Sequence, residues 1–432
     1  MNKKVITGLM ALTLVFGAAG VVPANVAGFG TVVTASAENP AEDFNWEIID
    51  DDTIRLTKYK GTAKDVVVPS IVADRTVTQV DNGAFKGTDV TSVVLPDTVD
   101  TMGWEVFRNC KELKTLTLPK EAKSMGDGVC SYCPSLESVN IPEGIEVIEY
   151  KSFVGCTSLK EVTIPASVKE IDHEAFSGCT SLSKVTFKEG SLKTIGMSFL
   201  NCTSLKEVII PEGVTEIHGA TFLNCTSLEK VVLPSTLKEL ATRGYSSGSS
   251  EGAFTNCTSL TSIVLPENLT EVDDYTFANC TALKDVKIES NVLDRIGVDA
   301  FKNCPELKEI TLPKSITTMK KTGLLSNIDE NGENVLKSDF ILHCYKGSTA
   351  EVYALNSGLP AANIDYLPDI VKGDMNGDGD VNVTDVNIIA AHVKSIRSLA
   401  EVSRGDVNGD GDINVTDLML VAAHVKGIKS LK

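Results

Sequence analysis

Near the end of the chain, oxygen-bearing side chains fall on alternate residues. Asp374, Asn376, Asp378, Asp380 and Asn382 make one series, and Asp385 stands eleven residues after Asp374. The spelling recurs with Asp406, Asn408, Asp410, Asp412, Asn414 and Asp417, 32 residues further on. Donors spaced in this way can wrap a hard cation such as Ca2+, which takes roughly six to eight oxygens at short range. Glycine in the sixth place permits the sharp turn, and Gly379 and Gly411 occupy it. The seventh residue offers its carbonyl, the ninth acts through water, and the twelfth carboxylate closes the shell from the following helix. One ion per loop, two in all, is the expectation. A disordered acidic tail would share the charge but not the alternation, the glycines or the helical patterns that follow.

Each loop needs an element to carry its closing carboxylate. The periodicity predicts helices over Thr384–Leu399 and Thr416–Leu431. Val386, Ile389, Val393 and Ile396 share one face, and Leu418, Val421, Val425 and Ile428 repeat it. The two faces should pack on each other. A module of about 60 residues has little core of its own, so calcium should supply much of its folding energy.

The closing position is Asp rather than the Glu of the common EF-hand loop, no periodic helix precedes either loop, and both loops end in NVTD. Duplicated loop-then-helix units of this kind resemble a type I dockerin, expected over 373–432. The resemblance implies calcium-dependent binding to a cohesin module on the scaffold protein of a cellulosome. The family's recognition positions fall on Val383 and Thr384, then Val415 and Thr416. On the helices they fall on Ala390, Ala391 and Lys394, with Ala422, Ala423 and Lys426. Many dockerins carry Ser-Thr at the paired loop positions and this chain carries Val-Thr, which leaves the matching cohesin open. The near-identity of the halves implies that either helix can dock. Lys394 and Lys426 read equally well as solvated surface.

The rest of the chain is an array. Cys110, Cys133, Cys156, Cys179, Cys202 and Cys225 recur every 23 residues, and Cys257, Cys280 and Cys304 continue the series after a longer step. A phenylalanine precedes nearly every one by three residues, with Cys130 in its place once. In the unit from Cys156 to Gly178, Leu159, Val162 and Ile164 should point inward from a short strand that Pro165 ends. Val168 and Ile171 line a second stretch, and Ala175 with Phe176 closes the coil. No unit can bury these residues alone, so the units must stack. The motif NCTSLKEV from Asn201 resembles the bacterial leucine-rich repeats of BspA-like surface proteins. The fold expected is a leucine-rich-repeat solenoid, mainly β, followed by a small all-α module. The first stretch, 38–75, reads as a capping hairpin, 76–360 as the solenoid with a C-terminal cap that includes a helix at Ala350 to Asn356, and 361–372 as a linker. The cysteines read as a column of reduced, packed thiols, with bridges between neighbouring units left open.

Other motifs are weaker. Gly244-Tyr245-Ser246-Ser247-Gly248 matches a nucleophile elbow but lies in a Gly/Ser-rich insertion with no strand or helix at its flanks, and reads as a loop. Asn201, Asn224, Asn256 and Asn279 match a glycosylation acceptor pattern and read better as turn residues. His173 and His218 fall in separate units without a partner in register and read as surface residues.

The N-terminus carries Lys3 and Lys4, then an apolar run from Val5 to Gly20 and a small-residue site at Ala35-Ser36-Ala37. It reads as a secretory signal over 1–37, an uncleaved anchor being the alternative; the localisation expected is extracellular, on a cellulosome or cell surface. A net charge of −18 argues against nucleic acid, which needs a basic face. The function expected is non-catalytic: a calcium-dependent tether joined to a solenoid that binds a protein or a carbohydrate in polysaccharide degradation. The alternatives are a polysaccharide hydrolase or a surface adhesin. A glycosidase needs two carboxylates over a sugar cleft, and no segment outside the array has room for a catalytic domain.

Overall fold

The computed structural model describes residues 37–241, 251–319, 321–329, 331–367, 372–375, 381–393, 402–409 and 411–427. The signal segment, the insertion holding Ser246, the calcium-loop residues Asn376, Asp378, Asp380 and Asp410, and Lys394 lie outside them.

The array winds into stacked coils, each contributing two short parallel strands. One ladder runs through eight strands, from Val147–Ile148 to Thr318–Met319. A second runs through six, from Glu161–Ile164 to Asp285–Ile288. Register follows the repeat, as in Glu161 opposite Lys184 and Val162 opposite Val185. That register stacks equivalent positions, so the inward apolar positions become continuous buried columns, while the outward Ile209, Val232 and Val264 stay exposed. Leu159, Val162, Ile164, Val168, Ile171, Ala175 and Phe176 are all buried.

Three columns hold the coils together. Phe153, Phe176, Phe199, Phe222, Phe254, Phe277 and Phe301 stack face to face, with ring centroids 5.3–5.6 Å apart. Beside them, each repeat thiol donates to a backbone carbonyl of the coil before: Cys179 Sγ to Phe153 O at 3.2 Å, Cys202 to Phe176 O at 3.3 Å, and so on to Cys304. All eleven cysteines are buried and unbridged. Burial pushes the Cys179, Cys225 and Cys304 thiols up to about 12. The third column is an amide ladder, in which Asn224, Asn256, Asn279 and Asn303 each donate Nδ2 to the Oδ1 of the asparagine one coil earlier, at 2.7–2.9 Å. These asparagines sit at φ of +55° to +62°, a conformation that Asn tolerates and most residues resist. Their side chains serve the turn and the ladder, the structural reading given above for the acceptor motif.

Both ends are covered. Phe44–Ile48 and Thr53–Tyr59 form an antiparallel hairpin, whose second strand pairs in parallel with Arg75–Val80. At the other end Ile341–Tyr345 pairs with Glu309–Thr311 and with Ile364–Leu367, and helix α1 (Thr349–Asn356) packs beside it. Residues 364–367 were expected in a linker; their backbone instead completes the last sheet. An antiparallel pair, Ser326–Ile328 with Asn334–Leu336, is a further departure from the repeat.

The tail has its own core. Helices α2 (Val383–Val393) and α4 (Val415–Val425) pack on each other. A four-residue helix α3, Val402–Gly405, leads into the second loop. Among the described residues Ile389, Ile413 and Val421 are buried in this cluster, with Val386, Val393 and Leu418 packed against it. Val425, assigned by periodicity to the apolar face, is exposed, because the helix stops there and turns at Gly427.

Candidate metal centre and docking helices

The closing residue of each loop is the first acid of its helix, and each is fully buried. Asp385 accepts from the backbone N–H of Met375 at 2.7 Å through Oδ1 and of Asn382 at 2.9 Å through Oδ2. Asp417 repeats this with Val407 at 2.9 Å, Asn408 at 3.2 Å and Asn414 at 3.0 Å. A single carboxylate thus ties the loop's entry to its exit. Asn382 and Asn414 cap their helices by accepting from Thr384 N at 2.8 Å and Thr416 N at 2.7 Å. The opening residue of the second loop, Asp406, accepts from Gly409 N at 2.6 Å and Gly411 N at 2.9 Å. Gly411 has φ +93°, which supplies the turn predicted for the sixth position.

Asp374 opens the first loop and is 2% exposed. Arg404, on α3, donates Nη1 to its carbonyl at 3.2 Å and lies 3.6 Å from its carboxylate. The second unit therefore reaches back to the first through an arginine that sequence spacing did not single out.

The donor set fits a hard cation. Asp374, Asp385 and Asp417 are buried where, among the described residues, three apolar side chains are buried with them, and a buried carboxylate is costly without a counter-ion or dense hydrogen bonding. Among the described residues no three His, Cys, Asp or Glu side chains converge as a ligand set; four of the twelve predicted ligands are outside that description. Asp374, Asn382, Asp385, Asp406, Asn408, Asp412, Asn414 and Asp417 are the predicted ligands within it.

Of the positions carried over for partner binding, the described loop pairs and Lys426 lie outward. Val383 is 63% and Val415 56% exposed. Thr384, Thr416 and Lys426 are exposed, while Ala390, Ala391, Ala422 and Ala423 are half-buried.

One expectation for the solenoid is overturned. His173 and His218, read as unrelated surface residues, pack together with ring centroids 5.3 Å apart and facing nitrogens 3.4 Å apart. Asp172 holds Nδ1 of His173 at 2.7 Å, and Glu216 lies 3.2 Å from Nε2 of His218. The rings meet past Gly196, in the coil between, where a Cβ would come within 2.9 Å of the Ile171 carbonyl. Burial lowers the His218 pKa, and Glu216 opposes that. The pairing spans two coils, so a search within one unit or its neighbour misses it.

Comparison with known proteins agrees with this division. A family model described as BspA type leucine rich repeat region matches residues 64–154, 123–250 and 249–326. A model described as dockerin type I domain matches residues 372–426. No curated protein matches the chain. A leucine-rich repeat protein from Bacteroides ovatus is similar at 22% identity, covering 79% of this chain and 100% of its own, with a TM-score of 0.46. A leucine rich cell surface protein from Faecalibacterium prausnitzii is similar at 21% identity, covering 78% and 96%, with a TM-score of 0.43. The pneumococcal vaccine antigen PcpA is similar at 18% identity, covering 76% and 97%, with a TM-score of 0.36.

Proposed function

The chain belongs to the BspA type leucine rich repeat family, and from that premise we propose that it is a secreted, non-catalytic component of a cellulosome-type assembly. Its type I dockerin domain is a calcium-binding, cohesin-binding module, and its solenoid is an interaction fold that takes a protein or carbohydrate ligand in polysaccharide degradation. In this reading residues 1–37 direct export, 38–75 cap the array, and 373–432 form the tether.

Two calcium ions fold the tether, one per loop. The first takes Asp374, Asn376, Asp378, Asp380, Asn382 and Asp385, and the second takes Asp406, Asn408, Asp410, Asp412, Asn414 and Asp417. The cohesin meets the Val-Thr pairs at 383–384 and 415–416 and the outer helix positions Ala390, Ala391, Lys394, Ala422, Ala423 and Lys426. The observation that carries the reading is the pair of buried carboxylates, Asp385 and Asp417, each clasping its loop from the first turn of a helix. The exposed valines 383 and 415 support a docking surface, since apolar side chains held in water gain by being covered. Capture of the full chain on an immobilised type I cohesin tests it: retention in calcium and release by EGTA is expected, and retention indifferent to EGTA overturns it.

A further inference from the structure

Among the described residues, exposed aromatic rings cluster at one place on the repeat coils, apart from Trp46 and Tyr366 at the two ends. Trp104, Tyr132 and Tyr150 are 63%, 44% and 39% exposed, and all three line one groove of about 650 Å³ over the N-terminal coils. They arise from three successive repeat units. Coil spacing in a parallel ladder is about 4.8 Å, comparable to the length of one pyranose ring.

The groove is electrically quiet. Lys86 lies 2.7 Å from Glu105, Arg108 pairs with the same carboxylate, and Lys151 lies 3.5 Å from Glu174. The cations also sit against the rings: Arg108 is 5.6 Å from the Tyr132 centroid and Lys151 Nζ is 4.8 Å from that of Tyr150. Paired charges leave little field for an ionic ligand. They do leave fixed donors and acceptors beside flat apolar faces, an arrangement suited to a ligand with hydroxyls on its rim and C–H groups on its faces. Asp127, also in the lining, has its carboxyl held above the ordinary value by burial, and Asp172 adds to this.

Tyr132 gives an independent sign. It occupies the turn column held by Asn109, Gly155, Gly178, Asn201, Asn224, Asn256, Asn279 and Asn303, and it keeps the column's positive φ, at +58°. Asn and Gly accept that conformation and tyrosine resists it. The next coil makes room: a Cβ on Gly155 would meet Tyr132 Cδ1 at 2.9 Å. Positive φ recurs at other coil residues, Tyr275 at +57° among them, so what sets Tyr132 apart is that it replaces Asn or Gly in this column and faces the groove.

We propose that this groove binds a neutral polysaccharide chain, with Trp104 as the main stacking platform and Tyr132 and Tyr150 continuing it along the coils. This rests on the reading of the solenoid as a ligand-binding module and names its ligand class and site. The test is electrophoresis of the full chain through native gels containing soluble xyloglucan, xylan, galactomannan or hydroxyethyl cellulose. At least one should retard it, and Trp104→Ala should weaken that at least tenfold, while Trp46→Ala, on the capping hairpin, should not. Tyr132→Asn should weaken binding and raise the midpoint of solenoid denaturation, because it restores the residue the turn prefers. No retardation by any of the four, or retardation unchanged in Trp104→Ala and Tyr132→Asn, overturns the proposal. Calcium-dependent cohesin capture of the same preparations is read in parallel, so that loss of the sugar site and loss of the tether are told apart.

Discussion

The solenoid and the tail solve the same problem from opposite resources. Both are built of short units that cannot fold alone. The solenoid repeats its unit until the apolar columns are long, and its core runs continuously from Phe44 to Ile364. The tail has two units, and among its described residues Ile389, Ile413 and Val421 are buried alongside three aspartates. Where repetition supplies the core, polar groups serve as connectors between coils. Where repetition stops at two, polar groups take the centre, and the stability must come from what they bind. The solenoid's stability should therefore be indifferent to calcium, and the tail's should depend on it.

The largest effect expected is on the tail. Replacing Asp385 and Asp417 together with Ala removes both clasps and, in this account, two calcium ligands. Circular dichroism should show loss of the α2 and α4 helicity even in excess calcium, and cohesin capture should be abolished. The strand signal should persist. Equal loss of strand signal would mean that the two regions do not fold separately.

Next comes the solenoid's own core. Phe222 stacks between Phe199 and Phe254 at 5.6 and 5.4 Å. Phe222→Ala should cost about 3–5 kcal/mol by the usual price of a buried aromatic cavity, measured from the urea midpoint of the strand signal. Cohesin capture should be unchanged, the converse of the first experiment.

A smaller cost falls on the amide ladder. Asn256→Ala breaks the hydrogen bonds to Asn224 and Asn279 and leaves a β-carbon at φ +62°. A loss of about 1–2 kcal/mol is expected. No loss would show that the ladder is incidental to the turn.

The smallest effect near neutrality belongs to the thiols. Cys179, Cys225 and Cys304 titrate at about 12 when folded, against roughly 8.5 for an ordinary thiol. Between those values the folded chain holds more protons than the unfolded one, so the contribution is whole below the lower value and falls as pH rises toward the upper. The native thiols should resist iodoacetamide at pH 8 and react once the solenoid is unfolded. Rapid native alkylation at Cys179 would contradict its burial.

Much of this was readable from spacing. The 23-residue period of cysteine and phenylalanine places both columns, because stacked parallel strands turn a sequence period into a line in space. The tail's alternation placed Asp385 and Asp417 at the heads of their helices, where the structure has them. What spacing did not carry were contacts that leave the repeat. His173 reaches His218 across an intervening coil, Arg404 reaches back from one half of the tail to the other, and Tyr132 departs from the Asn and Gly of its column. Sequence periodicity predicts the average unit, and a site on a solenoid is written in the exceptions. The end of helix α4, which leaves Val425 in water, was missed for a related reason: a periodic face does not announce where its helix stops.

The most direct measurement is amide hydrogen exchange of the full chain, read by mass spectrometry with calcium and with excess EGTA. The account predicts that protection over 383–393 and 415–425 collapses in EGTA while protection across the strands from 147 to 319 is unchanged. Tail protection that survives EGTA would contradict it, because the tail would then fold without the cation.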